Sequence, residues 1–154
     1  MRSLKPIMLV EDDTADVLII KRALKELKIE NELVYAADGE EALEYLRKEG
    51  NERPCIILLD LNMPRMNGLE FLEQAKSDEE LKSIPVVALT TSESNQDVTK
   101  CFSLGIVGYI VKPVDYRKFV KAVRIVDIYW MLSKIPDEPK DDTALEKAVV
   151  DNAQ

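Results

Sequence analysis

The sequence predicts an α/β domain on an open, doubly wound parallel sheet of five strands, each strand followed by a helix. Three observations lead there. Short apolar runs recur along the chain, longer amphipathic segments separate them, and the runs end in polar residues whose chemistries complement one another. Continuous rather than alternating hydrophobicity is the mark of a strand covered by helices on both faces. Alternation of strand and helix in sequence is the mark of right-handed β-α units in one sheet.

The first strand is Ile7-Met8-Leu9-Val10, an unbroken apolar run. Val17, Ile20, Leu24 and Leu27 then fall at helical spacing and place a first helix over 16–27. Leu33-Val34-Tyr35-Ala36 reads as the second strand, and Ala42, Tyr45 and Leu46 mark the helix after it. The third strand is Cys55-Ile56-Ile57-Leu58-Leu59, followed by a helix through Leu69, Leu72 and Ala75. Val86-Val87-Ala88-Leu89 is the fourth strand, and Val98, Cys101 and Phe102 lie on a helix within 95–104. Tyr109-Ile110-Val111 is the fifth, and a long last helix is expected over 115–133.

The chain divides accordingly into a domain over 1–135 and an acidic, mobile tail over 136–154 that opens with Pro136 and Pro139 among clustered Asp, Glu and Lys. Its 154 residues suffice for one core without disulfide or structural metal. A net charge of −8 supplies no basic footprint for nucleic acid or an anionic membrane. The absence of histidine excludes Ser-His-Asp and Cys-His catalysis and histidine-bound zinc. Cys55 and Cys101 are far apart, without metal-type spacing, and read as free thiols in a reducing compartment. With no run of signal-peptide or membrane-span length, the expected location is the cytoplasm.

Function is written at the ends of the strands. The first run stops at Glu11-Asp12-Asp13, the third at Asp60, the fourth at Thr90 and the fifth at Lys112. Open α/β sheets bind ligands beyond the carboxyl ends of their strands, so a parallel arrangement gathers carboxylates, a hydroxyl and an ammonium at one edge. Helix capping by acids accounts for one or two such endings, not for complementary chemistry at four. Clustered carboxylates repel unless a cation lies between them, and hard oxygen donors select Mg²⁺. A phosphoryl group arriving at Asp60 finds the metal and Lys112 on different sides, with Thr90 as a hydrogen-bond donor.

Together, Val10-Glu11-Asp12-Asp13, the stretch from Asp60 to Gly68 (DLNMPRMNG), Thr90-Thr91-Ser92 and the stretch from Gly108 to Pro113 (GYIVKP) resemble the signature set of bacterial response-regulator receiver domains. The likeness runs in order from Pro6 to Ser133. It implies a flavodoxin-like (βα)5 fold with strand order 2-1-3-4-5. It also implies a single-domain regulator that takes a phosphoryl group on Asp60 from a sensor histidine kinase and signals by changing conformation. Such a protein is a switch whose only chemistry is its own phosphorylation and dephosphorylation. The resemblance makes Glu11 and Asp12 the acid pair. Asp12, Asp60 and the backbone carbonyl of Asn62 become the Mg²⁺ ligands, with Mn²⁺ able to substitute. Lys112 becomes the phosphoryl contact beside a cis Pro113 peptide, and Thr90 with Tyr109 the switch pair. Asp13 falls outside the acid pair and suits a helix cap. Glu11 departs from the commoner Asp, and the stretch after the last helix is too short for an output domain.

A narrower likeness, carried by Leu59 to Gly68, Thr90-Thr91-Ser92 and Tyr129-Trp130 followed by Pro136, is to small regulators paired with phytochrome histidine kinases. The last helix has apolar residues beyond one stripe, namely Ile125, Ile128, Tyr129 and Leu132, which implies a homodimer through the fourth helix, fifth strand and fifth helix. Burial of the helix end beneath the tail is the alternative. The rival function is an aspartate-nucleophile phosphohydrolase of the haloacid-dehalogenase type, but that chemistry wants an acid where Asn62 stands. A flavin site would need a phosphate cradle where Glu11-Asp12-Asp13 repels one.

Overall fold

The computed structural model describes residues 5–63, 65–90, 95–111, 115–121 and 124, with the side chains of Thr90 and 95–98 left out. Lys112, Pro113, most of the last helix expected over 115–133, with Ile125, Ile128, Tyr129 and Leu132, and the tail over 136–154 lie outside the described residues.

The elements alternate as β1 (Ile7–Val10), α1 (Thr14–Glu26), β2 (Leu33–Ala36), α2 (Gly39–Arg47), β3 (Ile56–Asp60), α3 (Gly68–Ser77), β4 (Val86–Thr90), α4 (Asn95–Ser103) and β5 (Gly108–Val111). A further helical stretch covers 116–121. All strand pairs are parallel, in the order β2-β1-β3-β4-β5. This is the flavodoxin-like order expected of the resemblance.

The unbroken apolar runs have the expected cause. Successive side chains of a strand point to opposite faces, so both sets must be apolar when helices cover both. Met8, Val10, Ile57, Leu59, Val86 and Ala88 face one layer with Ala42, Leu43, Phe71, Leu72 and Cys101. Ile7, Leu9, Ile56, Leu58, Val87 and Leu89 face the other, with Val17, Ile20, Leu24 and Phe119. Phe71 and Phe119 are both fully buried, one in each layer. The two cysteines are buried, each in a different layer, and form no disulfide.

Local chemistry sets the helix starts. Asp13 caps α1, its carboxylate accepting from the Ala15 and Asp16 amides, so the helix begins two residues before the expected Asp16. Asn67 and Glu70 form a reciprocal capping box at the start of α3. Helix α1 ends in a Schellman turn, with the Lys28 amide on the Lys25 carbonyl and the Ile29 amide on the Leu24 carbonyl, both at 3.0 Å. That turn holds Lys28 at φ 57°, a conformation that favours glycine.

Candidate functional site: an acidic pocket at the carboxyl edge of the sheet

Strand register places the site. Val10 pairs with Leu59 and with Ala36, so the residues that follow β1 emerge level with Asp60, the last residue of β3. Asp60 itself pairs with Leu89, and Thr90 with Val111, so Thr90 stands one residue further along the same edge. Glu11, Asp12 and Asp60 thereby meet, each offering a carboxylate oxygen within 4.8 Å of the others. Glu11 and Asp60 are buried, at 0% and 1% exposure, whereas Asp12 faces solvent.

Backbone contacts hold these side chains. The Glu11 amide donates to the Ala36 carbonyl at 3.1 Å, which carries the β1–β2 ladder past the end of the strand. Glu11 Oε1 accepts from the Asp13 amide at 3.0 Å, and Asp60 Oδ1 accepts from the Asn62 amide at 3.0 Å. The Leu61 amide donates to the Leu89 carbonyl at 2.9 Å and ties the start of the loop to β4. The Gly68 amide donates to the Leu61 carbonyl at 3.2 Å and closes the loop of residues 60–68 at its base.

At its far end the same loop rests on the start of α2. The Gly39 amide donates to the Met66 carbonyl at 3.2 Å, and a Cβ on Gly39 would come within 2.9 Å of Met66 Cγ. Arg65, at φ 59°, donates from Nε to Asp38 Oδ2 at 2.7 Å, and its Nη2 reaches the same oxygen. Asp38 also caps α2, its Oδ1 accepting from the Glu41 amide at 3.0 Å. Burial acts to raise the Asp38 pKa, but the Glu41 amide, the Arg65 guanidinium and the Glu40 amide outweigh it and hold the carboxyl below the ordinary value.

The electrostatics mark the pocket as a cation site. Carboxylates gathered this closely repel one another unless a cation lies between them. The Tyr35 phenol on neighbouring β2 is raised above its ordinary pKa, first by desolvation and then by Glu41, Asp12 and Glu11. All the donors are hard oxygens, one of them open to water, which fits a small divalent cation that retains part of its hydration.

Of the expected site residues, Glu11, Asp12 and Asp60 are brought together, and Asn62 sits in the loop against the Asp60 carboxylate. Tyr109 on β5 is half-buried against the core. Thr90 is at the carboxyl end of β4, at the edge expected for it. Asp13 is the helix cap that its position outside the acid pair suggested. Sequence reasoning missed the Arg65–Asp38 pair. Half of its signal was legible: Asp38-Gly39-Glu40-Glu41 is an N-cap followed by first-turn acids. Its cationic partner lies 27 residues away and leaves no periodic trace.

Comparison with known proteins agrees with this geometry. The family model described as response regulator receiver domain matches residues 7–124. A probable methanogenesis regulatory protein, FilR2, of Methanothrix harundinacea is 39% identical over 128 residues, covering 81% of this chain and 83% of its own length. Response regulator Rcp1 of Synechocystis is 37% identical over 131 residues, covering 82% of this chain and 89% of its own. The solved Mn²⁺-bound form of Rcp1 superposes with a TM-score of 0.72 at 35% identity, over 89% of this chain and 99% of that one. The phosphorylated cyanobacterial phytochrome response regulator RcpA gives 0.75 at 39% identity, over 86% and 99%. With the family match, the strand order and the acid cluster in agreement, this chain belongs to the response regulator receiver family, the switch modules of two-component signalling.

Proposed function

We propose that this receiver accepts a phosphoryl group on Asp60 from the phosphohistidine of a sensor kinase and is a switch rather than a substrate-processing enzyme. The observation that carries the reading is the meeting of the Glu11, Asp12 and Asp60 carboxylates within 4.8 Å at the sheet edge. Asp12 and Asp60, with the backbone carbonyl of Asn62, would hold Mg²⁺ or Mn²⁺, and Glu11 completes the acid pair beside them. When bound, the cation neutralises the negative charge that gathers as phosphate meets carboxylate.

A carboxylate oxygen of Asp60 attacks phosphorus in line, the phosphorus–nitrogen bond breaks, and the imidazole leaves with the electron pair. The amide of Asn62 holds Asp60 Oδ1 and limits rotation of the carboxylate. Lys112 is assigned to the phosphoryl oxygens, next to a cis Pro113 peptide. Thr90 and Tyr109 are assigned to the switch, the hydroxyl moving toward the phosphoryl group and the ring turning inward behind it. Water later cleaves the acyl phosphate and returns Asp60 to its starting state. Support against a haloacid-dehalogenase-type hydrolase comes from Asn62, an amide where that chemistry needs a second acid.

The kinase is of phytochrome type in this reading, supported by the likeness to RcpA, itself a phytochrome response regulator. In this reading the receiver spans 1–135, and the acidic tail over 136–154 stands apart from it. Two copies pair through α4, β5 and the last helix, with Ile125, Ile128, Tyr129 and Leu132 in the contact. Phe102, Val107 and Val111, exposed apolar side chains of α4, the turn after it and β5, support that face. The setting is the cytoplasm, with neither nucleic acid nor membrane as partner. No described helix is long and apolar enough to cross a membrane.

Incubation with acetyl phosphate and Mg²⁺, followed by intact mass, tests the chemistry. The parent chain gains one phosphoryl group and Asp60→Asn gains none; equal labelling of the two overturns the assignment. Light scattering at micromolar concentration, with and without beryllofluoride, tests the pairing. A monomer in both conditions removes the dimer.

A further inference from the structure

Residue 65 is in the left-handed region, at φ 59°, yet it is an arginine. A side chain there is strained relative to glycine, and such conformations persist where the surroundings over-determine them. The surroundings are the first turn of α2. Arg65 is bound through Nε and Nη2 to Asp38, whose side chain is 3% exposed, while Nη1 approaches Glu40 at 4.0 Å. One residue further, the Met66 carbonyl accepts from Gly39, and only the missing Cβ of Gly39 lets the two backbones approach so closely.

The loop is therefore held at two ends. Gly68 closes its base onto Leu61, and Arg65 with Met66 anchors its far side to α2. Asn62 lies between these ties and Asp60 directly before the first, and both are assigned to the cation. We infer that Arg65 is a positioning residue for the metal site: its ion pair with Asp38 clamps the loop and sets the Asn62 carbonyl relative to the carboxylates. This inference rests on the metal assignment proposed above. It predicts that α2, which supplies no ligand of its own, governs cation affinity through one guanidinium.

The test separates positioning from mere stability. Arg65→Gly removes the clamp and also relieves the backbone, so folded stability stays near that of the parent. Asp38→Asn keeps an N-cap acceptor for Glu41 and discards the charge. Each variant, the double variant and a remote control, Lys28→Gly, are titrated with Mg²⁺ by calorimetry and followed by amide hydrogen exchange without metal. Arg65→Gly and Asp38→Asn should each weaken Mg²⁺ by about tenfold, as lost supporting contacts do at metal sites. The double variant should lose little more, because both changes break one contact. Exchange at the Gly39 and Gly68 amides should rise in these variants and not in the control.

Parental Mg²⁺ affinity and parental exchange in Arg65→Gly would overturn the clamp, as would weaker Mg²⁺ with unchanged exchange. If the parent itself bound no Mg²⁺, the metal assignment would fail, and with it the claim that the clamp serves that site. Exchange would then show only whether Arg65 holds the loop.

Discussion

Gly68 stands so close to Asp60 that a Cβ on it would lie 2.5 Å from the Asp60 carbonyl oxygen and 2.5 Å from Leu61 Cα. The first turn of α3 is thus packed directly on the backbone of the phosphoacceptor candidate. The requirement is for space, since both contacts are backbone atoms that cannot swing aside. Gly68→Ala should destabilise the fold by about 2–3 kcal/mol, the scale of overpacking in a tight interior. Urea unfolding measures that cost, and acetyl-phosphate labelling should slow in the same variant because Asp60 moves with its own carbonyl. Unchanged stability would contradict the contact.

The acid cluster carries a cost that the cation removes. Asp12 is the exposed member and is not needed for packing, so Asp12→Asn relieves repulsion without leaving a cavity. In metal-free buffer that variant should gain on the order of 1 kcal/mol, or about 2–4 °C in Tm for a chain of this size. Added Mg²⁺ should raise the Tm of the parent by linkage and leave Asp12→Asn almost unmoved. Thermal scans with Mg²⁺ and with a chelator make both comparisons.

Asp38 gives the fold a defined acid sensitivity. Its pKa is depressed in the folded state below the ordinary 3.8, so the unfolded chain binds the proton more readily. Stability from this group is complete above the unfolded value and is lost as pH falls through the depressed folded value. Asp38→Asn should be less stable than the parent at neutral pH, with the gap closing below about pH 4. Denaturant midpoints from pH 7 down to 3 measure it. A gap that widens on acidification would reverse the sign and refute the cause.

Lys28 sits at the left-handed position of the α1 terminator without the residue that suits it. Lys28→Gly should stabilise the protein by about 1 kcal/mol, because the steric cost of a Cβ in the left-handed region disappears in the folded state. Chemical denaturation tests it, and labelling of Asp60 should be unaffected.

Much of this molecule was legible before any coordinates. The apolar runs 7–10, 56–59 and 86–89 announce themselves as sheet interior because a strand covered on both faces leaves no room for a polar residue before its carboxyl end. The same logic located the site: when every strand is parallel, whatever follows each apolar run must come to one edge, and Glu11, Asp12 and Asp60 do. The motif series supplied the family and, through it, the strand order.

Tertiary structure decided what depends on two distant segments touching. Neighbouring Glu11 and Asp12 look alike in sequence, yet one is fully buried and the other is in solvent, because the layers close over only one of them. The tie between Arg65 and Asp38 and the seat of Met66 on Gly39 join two loops, and loops carry no hydrophobic period from which a partner can be read. Residue pattern settles the repeating elements because their geometry is local; contacts between the connections are set only when the sheet brings their ends side by side.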